Sequence, residues 1–428
     1  MTTRIDRASA GLPPAAPVRA VHLGLGGFHR SHQAWYTAAS PEWGIAAYTF
    51  RNTELPRALE QQEGAYTLLV PGAPEATEAI GSISRAHPGA DRASWSRDLA
   101  CPDVAVLTLT VTEAAYAAPE RDADSATGRL LAGLRERFRT SGAPIALVPC
   151  DNVPDNGAVL RSVLRAATRD DLRFSGWLEE QVSIASTVVD RITPAPTPRD
   201  VREVLDTTGL RDEAPVVAEP FSEWLISGDF PAGRPPWELR GARFVDDVGV
   251  YQQRKLWFLN GAHTLLAYAG LARGHRTVRE AVGDDVLVEM VQAWWQTASR
   301  HIPIDAAELA EYRRRLIERF AAPGLRHELA QIAEGGSQKI PARWLPVLRA
   351  ERAAGRLPEP LVRGLAAWVA HLRVGEVRDP RAAELVGSAR AADPVRRTLS
   401  ALGPDAGADD ELVSAVGAEL ATLAKAGN

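Results

Sequence analysis

Along the first half of the chain, short apolar runs alternate with longer stretches in which apolar positions repeat at helical spacing, the pattern of a mainly parallel sheet covered by helices. The runs Ala20 to Leu23, Ile45 to Phe50, Val104 to Thr110, Ile145 to Pro149 and Ile184 to Val189 are predicted strands, with Tyr66 to Val70 an extra one between the second and third. Pro and Gly gather at 191–199 and again at 229–238, where extended linkers are favoured over helix. From Val250 onward the spacing is that of successive amphipathic helices, for example 279–300 and 306–320. The expected fold is α/β followed by all-α, with a dinucleotide-binding domain over residues 1–240 and an α-helical substrate and catalytic domain over 241–428. No period of 20 to 50 residues indicates a repeat architecture.

Length agrees with this division, since 428 residues exceed what one core usually supports. No run of 18 apolar residues occurs, so no membrane span is expected. The first 20 residues carry early Arg and repeated Pro without an apolar h-region, which argues against a secretory signal and for the cytoplasm. A net charge of −5 without a basic block gives nucleic-acid binding no electrostatic support. Cys101 and Cys150 cannot make a disulfide framework or a cysteine metal site, and both read as thiols beside buried strands. The basic residues are more telling. Of 49, only Lys255, Lys339 and Lys425 are lysines. A chain that uses Arg for solvated charge keeps Lys where an amine is needed, because only the amine can lose its proton near neutral pH.

The first strand runs straight into Gly24-Leu25-Gly26-Gly27-Phe28-His29-Arg30, and 31–39 then reads as a helix. Strand, glycine turn and helix N-terminus are the context of a dinucleotide motif, because glycine lets backbone amides approach a pyrophosphate. The first domain is thus Rossmann-type, with Gly24, Gly26, Gly27 and Phe28 at the cofactor, although His29 stands where a third glycine is usual. His29, Arg30 and His32 could bring positive charge to the phosphates, the alternative being a solvated first turn; His22 reads as a sheet residue. Ribose specificity falls at the end of the second strand, at Arg51-Asn52-Thr53-Glu54. An acidic residue there bonds a 2′-hydroxyl and an Arg holds a 2′-phosphate; both are present, and the reading favours NAD with NADP left open.

The helical half opens with Arg254-Lys255-Leu256-Trp257-Phe258-Leu259-Asn260-Gly261-Ala262-His263. At about 100° per residue, Asn260 lies near 140° and His263 near 80° from Lys255, so three polar side chains share one side of an otherwise apolar helix. Such a stripe costs free energy unless it is satisfied or lines a cavity; the alternative is a buried network that fixes packing. An amine desolvated by Trp257 and Phe258 would be a general base for an alcohol. Asn152 follows the strand Ile145 to Pro149, and in open α/β sheets ligands bind beyond the carboxyl ends of strands. Asn152 and Asn260 could together stabilise a developing alkoxide.

At this point the residues resemble a family. Gly-Leu-Gly-Gly-Phe-His-Arg-Ser-His-Gln, Thr-Val-Thr-Glu at 110–113, Cys-Asp-Asn at 150–152, Val-Asp-Arg-Ile-Thr-Pro at 189–194 and Lys-x4-Asn-x2-His at 255–263 are similar, in order, to the long-chain mannitol dehydrogenase family, which includes mannitol 2-dehydrogenase, arabinitol dehydrogenase, fructuronate reductase and tagaturonate reductase. The resemblance implies a metal-independent, nicotinamide-dependent enzyme. It also implies Lys255 as base, Asn152 and Asn260 on the reacting oxygen, His263 on a neighbouring substrate group, and Thr112 and Glu113 at the cofactor. Two departures stand out. Gln252 occupies the place where the family often has a Glu that exchanges the proton with solvent, and Ala114-Ala115 stands where Lys-Gly is common. The chain is also shorter than most long-chain members, so trimmed substrate loops are expected.

The segment Gly335-Gly336-Ser337-Gln338-Lys339-Ile340-Pro341-Ala342-Arg343 resembles the corresponding stretch of fructuronate and tagaturonate reductases. Lys339 and Arg343 could hold a substrate carboxylate, the alternative being an ordinary basic surface turn. The expected substrate is therefore a small sugar acid or sugar alcohol, with reduction of a keto-uronate to an aldonate ahead of polyol oxidation. A different class, a non-catalytic NAD(H)-binding sensor on the same fold, has no use for the Lys255, Asn260 and His263 set. The expected assembly is a monomer or small homo-oligomer, with no nucleic-acid or membrane partner.

Overall fold

The computed structural model describes residues 3–111, 124–322, 327–374 and 376–426. They form two compact units, Met1–Gly249 and Val250–Asn428. In the first unit six strands make one parallel sheet: β1 Val18–Leu23, β2 Gly44–Tyr48, β3 Ile83–His87, β4 Val106–Leu109, β5 Ile145–Pro149 and β6 Val182–Ile184, in the order β3-β2-β1-β4-β5-β6. The chain order reverses between β1 and β4, which makes the ends of these two strands the topological switch point. Every residue of β2, β4 and β5 is buried, as expected of parallel strands covered on both faces.

Three differences from the sequence expectation have physical causes. Strand β3 (Ile-Ser-Arg-Ala-His) is an edge strand whose polar side chains reach solvent, so it lacks an apolar run. The Arg7 guanidinium closes beside it, donating to the carbonyls of Glu63, Pro13, Gly81 and Ile83 at 2.8–3.0 Å. Tyr66–Leu69 is a strand, yet it lies outside the main sheet, between Val216–Val217 and Glu78–Ile80. The run Ile184 to Val189 divides at Ala185: β6 ends the main sheet, and Ser186–Asp190 leaves it to pair antiparallel with Glu223–Ser227.

Arg137 ties the loops that feed β4 and β5. Its five N–H bonds reach the carbonyls of Leu99, Cys101, Val104, Ala143 and Pro144 at 2.7–3.0 Å. A guanidinium can answer all five of these carbonyls from one point.

The second unit is helical. Its core gathers around Gly261–Ala272, Asp285–Ser299 and Glu359–Val374, with Trp257, Trp294, Trp295, Trp344 and Trp368 buried inside. The stretch 279–300 is two helices: Val278–Ala281, opened by a capping box of Thr277 and Glu280, and Asp285–Ser299, capped by Asp284. The stretch 306–320 forms Ala306–Ala321, capped by Asp305. Among the described residues no helix is long and apolar enough to cross a membrane.

Glu351, on the helix Leu345–Ala353, ties the residues that follow Asp285–Ser299 to the turn after its own helix. Its buried carboxylate accepts from Arg300 at 2.7 and 3.1 Å, His301 at 2.5 Å and Arg356 at 2.8 and 2.9 Å. The Arg356 hydrogen bond, followed by those from Arg300 and His301, keeps this carboxyl far below its ordinary range in spite of burial. A carboxylate whose folded pKa is depressed stabilises the fold above its unfolded pKa, roughly 4.3, and loses that contribution as pH falls below it. Glu351→Gln is expected to cost about 2–3 kcal/mol at pH 7, read as a lower urea midpoint at unchanged slope. The gap to the native protein should narrow from about pH 4 downward; a gap that persists undiminished at pH 3 would mean that packing and not the charge carries the effect.

Candidate active site

The nucleotide end is set by the turn after β1. Gly24 sits at φ +112°, and a Cβ there would lie 2.2 Å from the Thr110 carbonyl at the end of β4, so only glycine fits. The amides of Gly24 and Leu25 both donate to the Tyr48 carbonyl at 2.9 Å, and Thr110 Oγ1 donates to the Gly24 carbonyl at 2.8 Å. These bonds fix the turn between the carboxyl ends of β2 and β4, at the switch point. Gly26 is different. A Cβ added to it would meet only the Gly24 carbonyl, at 3.6 Å, so the space beside its backbone is open.

The helix expected over 31–39 is two short helices, Gly27–Ser31 and Gln33–Thr37, broken at His32. The positive first turn expected there does not form. His29 is buried, its ring stacked on His22 at 3.4 Å, and burial together with His22 and Arg30 keeps it neutral, well below the usual imidazole range. His22 is a sheet residue held by Thr108 and Thr110 at 2.7 and 3.1 Å, and burial pushes it down to about 3. Arg30 also turns inward. Its guanidinium bonds the carbonyls of Gly26 and Ala214, so Arg30 braces the glycine turn instead of facing a phosphate. Phe28 stacks on His32 at 5.0 Å and is half-buried.

Arg51, Asn52 and Glu54 are exposed after β2. Asn52 Oδ1 accepts the amides of Glu54 and Leu55 at 2.9 Å, which opens the helix Glu54–Gln61 and places Glu54 at its first position. The Asn52 oxygen is thereby committed to the backbone. Thr112 and Glu113 lie outside the described residues.

Asn152 is exposed on the loop after β5, between buried Asp151 and the helix Asn156–Thr168. Asn156, which the sequence pattern marks only as part of a turn, turns out to hold this loop. Its side chain donates to the carbonyls of Pro149, Asp151 and Thr187 at 3.2 Å and accepts from the Thr187 amide at 3.0 Å. The motif at 189–194 braces the glycine turn from behind. Arg191 donates to the Ser31 carbonyl at 2.6 Å, and Thr193 Oγ1 meets Ser31 Oγ at 2.7 Å. Asp190, in the same motif, is buried at the end of its strand.

In the second unit, Gly249–Arg254 is α-helical, Lys255–Asn260 is a π turn and Gly261–Ala272 is α-helical again. The Gly261 amide donates to the Leu256 carbonyl, a five-residue step in place of the usual four. The angles reckoned at 100° per residue therefore do not hold across this segment: residues five apart, Lys255 and Asn260, fall on successive turns. Lys255, Asn260 and His263 are half-buried, while Trp257, Phe258, Leu259 and Ala262 are buried. The His263 ring packs on Phe320 at 4.6 Å and meets the edge of His327 at 5.6 Å. Gln252 is half-buried one turn before Lys255.

Lys339 and Arg343 lie four residues apart on the helix Gly336–Arg343. Lys339 Nζ donates to the Ile332 carbonyl at 3.0 Å, and burial followed by the charge of Arg343 lowers its pKa from the ordinary value. Arg343 Nη1 donates to the Asn260 carbonyl at 3.2 Å and to Thr264 Oγ1 at 2.8 Å, and burial pushes its pKa down to about 10. Arg343 thus touches the backbone of the polar helix directly. A cavity of about 640 Å³ in this unit is lined by Tyr268, Leu271, His371 and Val374 among others, and by none of Lys255, Asn260, His263, Lys339 or Arg343. Among the described residues no three His, Cys, Asp or Glu side chains gather as a metal-binding group.

The chain matches the family model described as the mannitol dehydrogenase Rossmann domain over residues 18–239 and that of the mannitol dehydrogenase C-terminal domain over 247–422. It is 35% identical to D-mannonate oxidoreductase of Escherichia coli K12 over 86% of this chain and 84% of that one. It is 36% identical to D-arabinitol 4-dehydrogenase of Ralstonia nicotianae over 80% of each. Among solved structures it is similar to the ternary complex of Pseudomonas fluorescens mannitol 2-dehydrogenase with NAD and D-mannitol, at a TM-score of 0.82 and 29% identity over 99% of this chain and 98% of that one. Two matched domains that together span nearly the whole chain, with relatives above 30% identity over most of their length, place this protein in the mannitol dehydrogenase family.

Proposed function

We propose that this protein is an NAD-dependent oxidoreductase that interconverts a sugar alcohol or aldonate with its keto form, and that its preferred reaction is reduction of a keto-uronate. The observation that carries the general reading is the half-buried Lys255, Asn260 and His263 set among buried Trp257, Phe258, Leu259 and Ala262 on one helical segment. A family relative is named for the aldonate mannonate, another for arabinitol, and a third was solved with NAD and mannitol.

The first unit fits a dinucleotide. Gly26 leaves open space where its Cβ would stand, at the switch point of a parallel sheet in Rossmann order. Gly24, Gly26, Gly27 and Phe28 would hold the pyrophosphate, with Arg51 and Glu54 at the adenosine ribose. When bound, the nicotinamide accepts or donates the hydride. The chain's own residues handle the proton and the oxygen. Lys255 Nζ takes the hydroxyl proton in oxidation and returns it in reduction. Asn152 and Asn260 donate amide hydrogens to the reacting oxygen, and His263 bonds a neighbouring hydroxyl. Gln252 cannot ionise, so the proton on Lys255 leaves without a carboxylate at that position.

The keto-uronate reading rests on Lys339 and Arg343, two cations held close enough that the charge of Arg343 helps to lower the pKa of Lys339. A carboxylate would relieve that repulsion. One observation favours the second reading, oxidation of a neutral polyol: Arg343 is already engaged with Asn260 and Thr264, which leaves Lys339 as the main anchor for a carboxylate. Side-by-side NADH oxidation with fructuronate, tagaturonate and fructose separates the two, and no turnover on any substrate despite NADH binding would leave a nucleotide sensor.

Three outcomes follow from these assignments. Catalytic efficiency should be higher with NADH than with NADPH, because the Glu54 carboxylate opposes a 2′-phosphate; equal or better efficiency with NADPH would assign Arg51 to that phosphate. Lys339→Ala should weaken binding of a uronate by roughly 10- to 150-fold, the worth of a charge-assisted hydrogen bond of about 1.5–3 kcal/mol, while a neutral ketose is little affected; equal losses would remove the carboxylate assignment.

Lys255→Arg keeps a positive charge but cannot deprotonate at accessible pH. It should fold, bind NADH and lose at least about 10²-fold in turnover. In the native protein, oxidation needs the neutral amine and should rise with pH through the lysine's apparent pKa; reduction needs the ammonium and should fall over the same range. Near-native turnover of Lys255→Arg with an unchanged pH profile would move the proton to another group, His263 first.

A further inference from the structure

We propose that Trp294, Trp295 and Trp344 are positioning residues for the proton-transfer step: their indole N–H groups hold the π turn Lys255–Asn260 and so keep Lys255 and Asn260 on successive turns. This rests on the assignment of Lys255 and Asn260 made above.

A helix that passes from five-residue to four-residue pairing skips one carbonyl. Here the Gly261 amide reaches Leu256, so the count passes over one carbonyl where four-residue pairing resumes with the next residue. The skipped carbonyl is that of Trp257. Trp294 Nε1 donates to it at 2.8 Å. The next helix residue supplies a second donor: Trp295 Nε1 reaches the Phe258 carbonyl, also at 2.8 Å. Beyond the turn, Trp344 Nε1 donates to the Gly261 carbonyl at 3.1 Å, and Arg343 to that of Asn260. The three indoles are fully buried. A Cβ on Gly261 would stand 3.0 Å from the Trp294 ring, so glycine there is what allows the indole to approach.

The π register is rare because its pairing is poorer than that of the α-helix. A regular helix through the same residues would swing Asn260 about 140° from Lys255. A carbonyl left over in the π register and buried among apolar side chains would cost on the scale of a lost hydrogen bond, which favours a return to the α register. The indole that answers this carbonyl removes that incentive. Trp294 and its neighbours therefore choose between two registers of one helix, and only one of them aligns the base with the amide donor.

Trp294→Phe removes the N–H and keeps most of the ring. The test reads Lys255 directly: competitive acetylation across pH followed by mass spectrometry is simple to assign, because the chain has only three lysines. Trp294→Phe should shift the midpoint of Lys255 acetylation by at least about half a pH unit, a factor of roughly three, with Lys425 unmoved. It should lower turnover at least about tenfold with KM within about twofold, since the lost alignment acts in the transition state. Trp177→Phe is the matched control, removing an indole bond to the Gly142 carbonyl in the first unit; it should lower stability and move neither readout. Should Trp294→Phe not be recovered folded, Trp344→Phe is read in the same way. A folded variant with unchanged Lys255 titration and unchanged turnover would overturn the proposal. A shifted titration in a protein that turns over no substrate would uphold the positioning role and remove the functional assignment instead.

Discussion

An irregular backbone survives in a protein interior only where side chains answer the carbonyls and amides that regular pairing leaves over. Both units depend on this. In the first, Arg137 gathers five loop carbonyls ahead of β4 and β5, Asn156 locks the Cys150–Asn152 turn, and Arg30 and Arg191 brace the glycine turn through Gly26, Ala214 and Ser31. In the second, three indoles and Arg343 do the same for the π turn. The segments proposed to meet cofactor and substrate are those in which regular pairing stops, and each is enclosed by long, buried donors. This is how a site can depart from helix and strand geometry while remaining rigid.

The sheet was legible because parallel strands buried on both faces read as largely apolar runs, even where His22 interrupts β1 and Thr108 interrupts β4. The edge strand β3 did not, since an edge tolerates Ser84, Arg85 and His87 and so carries no such run. The break at Ala185 was illegible for a different reason. One run of strand-forming residues serves two sheets, and the small Ala185-Ser186 step inside it does not by itself mark where the chain leaves the first for the second. Likewise the split at His32 lies among rings packed around it, Phe28, Tyr36 and Trp224, of which Trp224 is far away in the sequence.

The candidate site was legible as residue types and spacing, less so as geometry. A polar set within an apolar helix is visible in the pattern of Lys255, Asn260 and His263, and the burial of their neighbours follows it. The π turn is not visible, because the donors that sustain it lie about 35 to 85 residues away at Trp294, Trp295 and Trp344. The reading of Arg30 failed for a related reason: a charge next to a glycine turn looks solvated in sequence, yet here carbonyls from residue 214 draw it inward. Asn156 passed unnoticed because turn residues are common, and only its contacts distinguish it.

The scarcity of lysine takes on a second meaning in this light. Arginine in this chain is not confined to solvated surface; Arg7, Arg30, Arg129, Arg137, Arg191, Arg254 and Arg319 are all buried. A guanidinium stays charged when desolvated and offers five donors in a fixed fork, so it can answer several carbonyls at once, whereas a buried ammonium has three donors and sheds its proton more easily. The structural task of tying irregular backbone therefore selects arginine throughout, for the same physical reason that disqualifies it from carrying a proton. Of the three lysines, Lys425 is exposed near the end of the last helix, while Lys255 is half-buried on the polar helix itself and Lys339 is half-buried on the helix whose Arg343 bonds its backbone. An amine kept in such a place, in a chain that elsewhere uses arginine for buried charge, is kept for the property that arginine lacks.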